Sequence, residues 1–136
     1  MNTNDEDVKK ILKTYKKITV IGMSPDANKP SQEIPNYMRA QGYDIVGVNP
    51  AQTEINAFKV FSNLADVPLE YRKFINVFRR PEHIPQVVDE VLKLGGVEVL
   101  WLQLGISHDE AEKLAENAGI KVVSNRCLLI EHRKLS

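Results

Sequence analysis

The segment KITVIGMSPDANKPS, residues 17–31, decides the fold because it predicts a strand, a glycine turn and the start of a helix in succession. Its first apolar residues, ITVI (18–21), are typical of a strand that a parallel sheet buries on both faces. Gly22 ends this strand, and Ser31 is predicted to cap the helix that follows. Backbone N–H groups converge at such a point, and the helix dipole favours an anion there. The segment therefore predicts a site for a phosphate-bearing, nucleotide-like ligand.

Strand patterns alternate with helix patterns along the rest of the chain. Further strands are predicted at 43–48, 59–61, 74–78, 97–102 and 120–123, and helices at 5–15, 31–41, 81–94, 108–118 and 127–134. Strand 59–61 is expected at the edge of the sheet, and Pro35 in the first turn of its helix. This alternation predicts an α/β fold, a three-layer Rossmann-like sandwich around a mainly parallel sheet of five or six strands. The strands that contain Ile18 and Phe74 are expected to flank the point where strand order reverses, because ligands bind there.

Composition and charge restrict the class of protein. A chain of 136 residues predicts one domain over residues 1–136, with residues 1–16 as an N-terminal helical extension. Eighteen basic residues balance eighteen acidic ones, so a broad basic surface for nucleic acid is not expected. The chain has no apolar run of membrane-spanning length and does not begin like a signal peptide. Its single cysteine, Cys127, fits a reducing cytoplasm and, with three scattered histidines, gives no expected metal site.

Polar or conformationally special residues follow five of the predicted strands. They are Gly22-Met23-Ser24, Asn49-Pro50, Phe78-Arg79-Arg80, Gln103-Leu104-Gly105 and Asn125-Arg126-Cys127. All five fall at one edge of a parallel sheet, which favours a binding site there. Arg79 and Arg80 suit an anion, although an arginine at a tip, Arg126 included, also suits a surface ion pair. Lys29 fits either a phosphate contact or a solvated surface.

The familiar nucleotide-binding motifs are not matched. Ser24 and Ala27 stand where the dinucleotide fingerprint requires glycine, and Asn49 stands where an acidic residue would bind the ribose. A Walker-type Gly-Lys-Ser/Thr sequence does not occur. The residues also suggest no nucleophile–base pair: His83, His108 and His132 are predicted to cap helices or lie on the surface, and Cys127 is predicted to be buried and inert. We therefore do not expect an enzyme.

Five motifs taken together resemble a known family. IGMSPDANKPS, VGVNP, NVFRRPEHIP, WLQLGI and NRCLLIEH occur in the order and spacing of the small bacterial and archaeal CoA-binding proteins. These are free-standing relatives of the CoA-binding domain in the α subunit of succinyl-CoA synthetase. The resemblance runs from about Tyr15 to His132 and implies a Rossmann-type domain that holds coenzyme A or acyl-CoA by its nucleotide end.

The resemblance also implies five groups of ligand contacts. They are the glycine loop at the phosphates (Gly22, Met23, Ser24), the segment that closes it (Lys29, Pro30, Ser31), the adenosine wall (Val48, Asn49, Pro50), the opposite wall (Phe78, Arg79, Arg80) and the floor toward the pantetheine (Gln103, Gly105, Asn125, Arg126, Cys127). Two positions depart from the family pattern: Asn125 stands where an aspartate is frequent, and Ala51 follows the Asn-Pro pair where many relatives carry a lysine. No histidine lies in a context like that of the synthetase phosphohistidine, so ligase activity is not expected.

Four functions are compatible with these residues. The first is a non-catalytic CoA-binding module that senses, stores or presents its ligand, alone, as a homodimer or with an unknown protein partner. The second is an oxidoreductase that uses NADP or another nucleotide, with Arg79 or Arg80 on the 2′-phosphate. The third is a redox sensor or CoA-thiolation site at Cys127, which would form a mixed disulfide with the CoA thiol and requires an exposed cysteine. The fourth is a protein-interaction scaffold with a vestigial pocket.

Overall fold

A computed structural model describes residues 4–135 and confirms the alternation of strands and helices. The helices are α1 (Asp5–Thr14), α2 (Pro30–Ala40), α3 (Leu69–Arg72), α4 (Ile84–Leu94), α5 (Asp109–Asn117) and α6 (Leu128–Arg133). The strands are β1 (Lys17–Ile21), β2 (Asp44–Val48), β3 (Glu54–Ile55), β4 (Phe58–Phe61), β5 (Phe74–Val77), β6 (Val99–Leu102) and β7 (Lys121–Val123). Short 3₁₀ turns occupy Leu64–Asp66 and Pro81–His83. Within residues 4–135, no helix is both long and apolar enough to cross a membrane.

The strands form one sheet in the order β3-β4-β2-β1-β5-β6-β7. Every pair is parallel except β3 with β4. The chain moves from β1 outward to β2 and then returns to place β5 on the other side of β1, so strand order reverses between β1 and β5. This confirms the predicted switch point, at which ligands bind beyond the carboxyl ends of the strands.

The sheet differs from the prediction at one edge. The described residues contain seven strands rather than five or six, because β3 adds a two-residue antiparallel strand outside β4. Asn56 and Ala57 connect the two strands in a tight turn, both with positive φ (47° and 67°). Strand β4 therefore lies inside the sheet, and the prediction that it forms the edge was wrong. Two residues are too few for a recognisable strand pattern.

Each face of the sheet is covered by its own layer of helices, as a three-layer sandwich requires. Buried side chains of α1, α2 and α6 pack against one face, which includes Ile18, Phe74 and Trp101. Buried side chains of α4 and α5 pack against the other face, which includes Ile75 and Leu100. Adjacent residues of a strand point to opposite faces, so a continuous apolar strand supplies both cores.

Helix α2 begins one residue earlier than predicted, and this changes its contacts. Lys29 is the N-cap and makes no capping hydrogen bond through its side chain, so the prediction that Ser31 caps the helix was wrong. Pro30 takes the first helical position, which its fixed φ favours. Pro35 consequently lies in the second turn and cannot donate to the Ser31 carbonyl. That carbonyl instead accepts the Ser24 N–H at 3.3 Å, which ties the glycine loop to the helix.

Candidate functional site

A cavity of about 400 Å³ opens at the carboxyl edge of the sheet, beside the switch point. The start of α2, the residues after β5 and the residues after β6 form its walls. Its lining residues are Lys29, Pro30, Ser31, Phe78, Arg79, Arg80, Pro81, Gln103, Leu104 and Ile106. Seven of these ten were predicted from the sequence, because topology alone brings the strand ends to one edge.

The cavity is bordered by positive charge that other residues do not neutralise. Lys29, Arg79 and Arg80 form no ion pair or hydrogen bond through their side chains within residues 4–135, and no carboxylate lines the cavity. Both arginines are exposed. Unpaired guanidinium groups can bind phosphate oxygens in a bidentate manner, so the site is suited to a phosphorylated ligand.

A second cleft, of about 440 Å³, lies at the amino ends of β2 and β4. Arg39 lines this cleft, but its guanidinium stacks on the Phe58 ring at 3.7 Å and donates to the Asn56 carbonyl. The Arg39 guanidinium therefore already has partners within the protein. The cleft also lies away from the carboxyl ends of the strands, where parallel sheets bind ligands. The smaller cavity at the carboxyl edge is the better candidate site.

Position 22 requires a glycine for two reasons: its backbone conformation, and the backbone after β5, which leaves no room for a Cβ. Its φ is +84°, and a Cβ at this position would lie 2.4 Å from the carbonyl oxygen of Phe78. The side chain of Arg79 also crosses the turn, with Cδ 3.4 Å from the same point. A larger residue at position 22 would therefore displace the backbone that carries Phe78 and Arg79.

Backbone N–H groups contribute less to the site than predicted. The Gly22 N–H donates to the Val48 carbonyl at 3.1 Å, and the Ser24 N–H donates to the Ser31 carbonyl. Among residues 22–31, the N–H groups of Met23, Ala27 and Ser31 donate to no acceptor in the described chain. The expectation that amides just beyond Gly22 gather around an anion was therefore wrong for Ser24.

Met23 is a core residue through its side chain. It is fully buried, and Gly47 makes room for it: a Cβ at Gly47 would lie 2.9 Å from the Met23 sulfur. The sequence pattern could not show that the Met23 side chain belongs to the core rather than to the cavity lining.

The residues at the end of β2 support the glycine loop and do not line the cavity. Asn49 donates through Nδ2 to the Met23 carbonyl at 3.0 Å and accepts the Ala51 N–H through Oδ1 at 2.8 Å. Val48 is paired with Ile21 in the sheet, and Pro50 is exposed. Asn49 thus positions the loop, whereas the structure brings none of the three residues of the adenosine wall to the cavity.

Most of the predicted floor is used in folding instead. Asn125, at φ +58°, accepts the Gly105 N–H through Oδ1 at 2.7 Å, which joins the ends of β6 and β7. Arg126 forms ion pairs with Asp5 at 2.8 Å and Glu131 at 3.2 Å. The hydrogen bond with Asp5 raises the pKa of Arg126 and lowers that of the Asp5 carboxyl. Within this group only Gln103 lines the cavity.

The cysteine and the histidines take structural positions. Cys127 is 9% exposed and packs in the core with α1, α2 and α6, so the mixed-disulfide hypothesis lacks the exposed thiol it requires. His108 caps α5, as predicted, and its Nδ1 accepts the Ala111 N–H at 3.2 Å. His132 is partly buried between Tyr37 and Tyr43, and burial lowers its pKa, with a smaller effect of the Lys16 charge. Residues 4–135 contain no group of three or more potential metal ligands.

Three apolar lining residues, Pro81, Leu104 and Ile106, were not among the predicted ligand contacts, although Leu104 lies in one of the five predicted strand-end segments. Leu104 is 58% exposed two residues beyond the end of the fully buried strand β6. A large apolar residue in a position where turns are usually polar is the signal that identifies it. Pro81 and Ile106 have no such signal, since their place at the cavity depends on how the chain turns after each strand.

Comparison with known proteins places the chain among similar small proteins. The CoA binding domain family matches residues 16–133. The uncharacterised protein YneT of Bacillus subtilis is 32% identical over 133 residues, which cover 96% of each chain. A Thermus thermophilus structure is 37% identical with a TM-score of 0.88 and covers 98% of this chain and 100% of its own. A hypothetical protein from Pyrococcus horikoshii is 33% identical with a TM-score of 0.88 and coverages of 98% and 92%.

Proposed function

This chain belongs to the CoA binding domain family, and on that premise we propose that it binds coenzyme A or acyl-CoA in the cavity beside Gly22 without itself catalysing a reaction. The observation that supports the proposal most strongly is the set of unpaired cations at this cavity, Lys29, Arg79 and Arg80. Coenzyme A carries a pyrophosphate and a 3′-phosphate, so its charge is complementary to this border.

The uncharged lining fits the rest of such a ligand. Phe78, Pro81, Leu104 and Ile106 give the cavity an apolar wall, and Gln103 adds an amide at its base. A nucleotide ring or the methylene chain of a pantetheine would gain free energy by covering this apolar surface. The proposal therefore assigns the cations to the phosphates and the apolar wall to the uncharged parts of the ligand.

A non-catalytic role is supported by the chemistry of the lining. None of the ten lining residues is a histidine, cysteine or carboxylate, and Ser31 has no such base beside it in that set. General acid–base or nucleophilic catalysis needs a group of this kind within hydrogen-bonding distance of the reacting atoms. Of the ten lining residues, Lys29 and Ser31 alone are of types that also act in catalysis, and neither has a histidine or carboxylate beside it in that set, which supports a binding role.

Isothermal titration calorimetry with coenzyme A tests the proposal. Arg79→Ala should weaken binding by about tenfold to a hundredfold, the loss of one charge-assisted hydrogen bond. Lys93→Ala, which removes an exposed cation of α4 outside the cavity, should bind like the unmodified chain. Absence of any heat with coenzyme A, or stabilisation by NADP alone in a parallel thermal-shift series, would refute the assignment.

A further inference from the structure

Asn76 lies at the centre of the sheet, where its side chain is unfavourable for folding. It is the third residue of β5, has 0% exposure, and its strand neighbours Phe74, Ile75 and Val77 are all apolar and buried. Asparagine is depleted in strands, and a buried amide must satisfy its hydrogen-bonding groups within the protein. A valine would fit the same strand pattern without either requirement.

The amide of Asn76 is only partly satisfied. Its Nδ2 donates to the Trp101 carbonyl and to Oε1 of Gln103, each at 3.4 Å. Its Oδ1 is buried and accepts no hydrogen bond within the described chain. An unsatisfied buried acceptor destabilises a fold, so Asn76 is poorly explained by stability alone.

Gln103 connects Asn76 to the cavity. It is 4% exposed, directly follows β6, the strand next to β5, and lines the cavity. Its Oε1 faces two donors, Nδ2 of Asn76 and the backbone N–H of Leu128 at 3.5 Å. Two donors at one end of an amide define that end as the oxygen. The other end, Nε2, makes no hydrogen bond within the described chain and is not among its buried unpaired atoms, so it is available to an acceptor in the cavity that Gln103 lines.

We propose that Asn76 is a positioning residue for the ligand: it fixes the Gln103 amide with its oxygen toward the protein, so that Nε2 donates to an oxygen acceptor of the bound coenzyme. The proposal rests on coenzyme A binding in this cavity. On this proposal, Asn76 does not touch the ligand. It determines which kind of ligand group, a carbonyl or phosphate oxygen, the Gln103 amide donates to at the base of the site.

Asn76→Val tests the proposal, because a positioning role and a structural role predict opposite results. Removal of an amide with an unsatisfied oxygen should leave the free energy of unfolding unchanged or raised. Affinity for coenzyme A should fall about fivefold to tenfold, as Gln103 loses its fixed orientation. In a Gln103→Met background, which lacks the donor, Asn76→Val should have no further effect on affinity.

The matched control is Thr19→Val in the neighbouring strand β1. Thr19 is equally buried, but its hydroxyl donates to the Tyr71 carbonyl and makes no contact with Gln103. This variant should bind coenzyme A normally even if it loses stability. If Asn76→Val lowers stability and leaves affinity unchanged, Asn76 is structural and the proposal is wrong.

Two further measurements separate this proposal from the proposed function. Should the valine not fit the strand, Asn76→Ala provides the same affinity comparison without the larger side chain. The NMR signals of the Gln103 side-chain amide, followed in the ligand-free protein, should shift and broaden in either variant but not in Thr19→Val. If the unmodified protein gives no heat with coenzyme A, the proposed function fails, while the NMR result still decides whether Asn76 orients Gln103; unchanged signals would overturn the inference.

Discussion

Replacement of Gly22 by alanine should destabilise the ligand-free protein, because β5 rather than the ligand occupies the space beside this glycine. The added Cβ would lie 2.4 Å from the Phe78 carbonyl oxygen. That oxygen belongs to the backbone at the end of β5, where the Phe78 N–H donates to the Ile21 carbonyl at 2.9 Å. The carbonyl cannot rotate away as a flexible side chain would.

The expected loss of stability in Gly22→Ala has two contributions. A left-handed φ of +84° costs a non-glycine residue about 1–2 kcal/mol. Displacement of a packed neighbour by an added methyl group costs about 1–3 kcal/mol more. Gly22→Ala should therefore lower the free energy of unfolding by about 2–5 kcal/mol.

Gly119→Ala is the control for the conformational part. Gly119 has a similar φ of +92°, but nothing lies within 4 Å of its ideal Cβ position. Gly119→Ala should lower the free energy of unfolding by only about 1–2 kcal/mol. The change in unfolded-chain entropy from glycine to alanine is the same at both positions, so it cancels in the comparison. Urea unfolding followed by circular dichroism, without ligand, compares the two variants. Equal losses would refute the close approach of Phe78 as the reason for the glycine.

Two residues outside the cavity give further predictions. The imidazole of His132 should titrate below its ordinary pKa of 6.5 by NMR, because burial and the Lys16 charge disfavour its protonated form. The unfolded chain then takes up the proton first, so stability should fall as the pH drops below 6.5, and His132→Phe should lessen that fall. The Cys127 thiol should react with an aromatic disulfide reagent far more slowly in the native protein than in urea, and incubation with oxidised coenzyme A should leave the intact mass unchanged. Rapid modification of the native protein would restore the mixed-disulfide hypothesis.

The strands and longer helices were predictable because their signals are local. The short segments 18–21 and 74–77, in which β-branched and aromatic residues predominate, are typical of buried strands. Strand β3 and helix α3 were missed because two and four residues are too short to show a period. The start of α2 was misplaced by one residue because Pro30 at the first helical position competes with capping by Ser31.

The site was predictable only to the extent that topology determines it. The parallel topology brings the start of α2 and the ends of β5 and β6, and with them Lys29, Arg79 and Gln103, to one cavity. For Arg126 the sequence left both a ligand contact and an ion pair open, and the partner of its ion pair, Asp5, lies 121 residues away in the sequence. This ion pair depends on where α1 packs, and the sequence around Arg126 does not predict that position.

The hydrogen bonds of the glycine loop change the physical basis of anion binding in the proposed complex. The sequence suggested converging amides and a helix dipole, but Val48 and Ser31 already accept two of the loop's N–H groups. A helix N-terminus supplies the equivalent of about half a unit charge, and this falls off within one turn. Three unpaired side-chain cations border the same cavity. Because they exceed the dipole severalfold, the side chains would provide most of the attraction for phosphate, and the loop would chiefly hold them in place through the contact of Gly22 with Phe78 and Arg79.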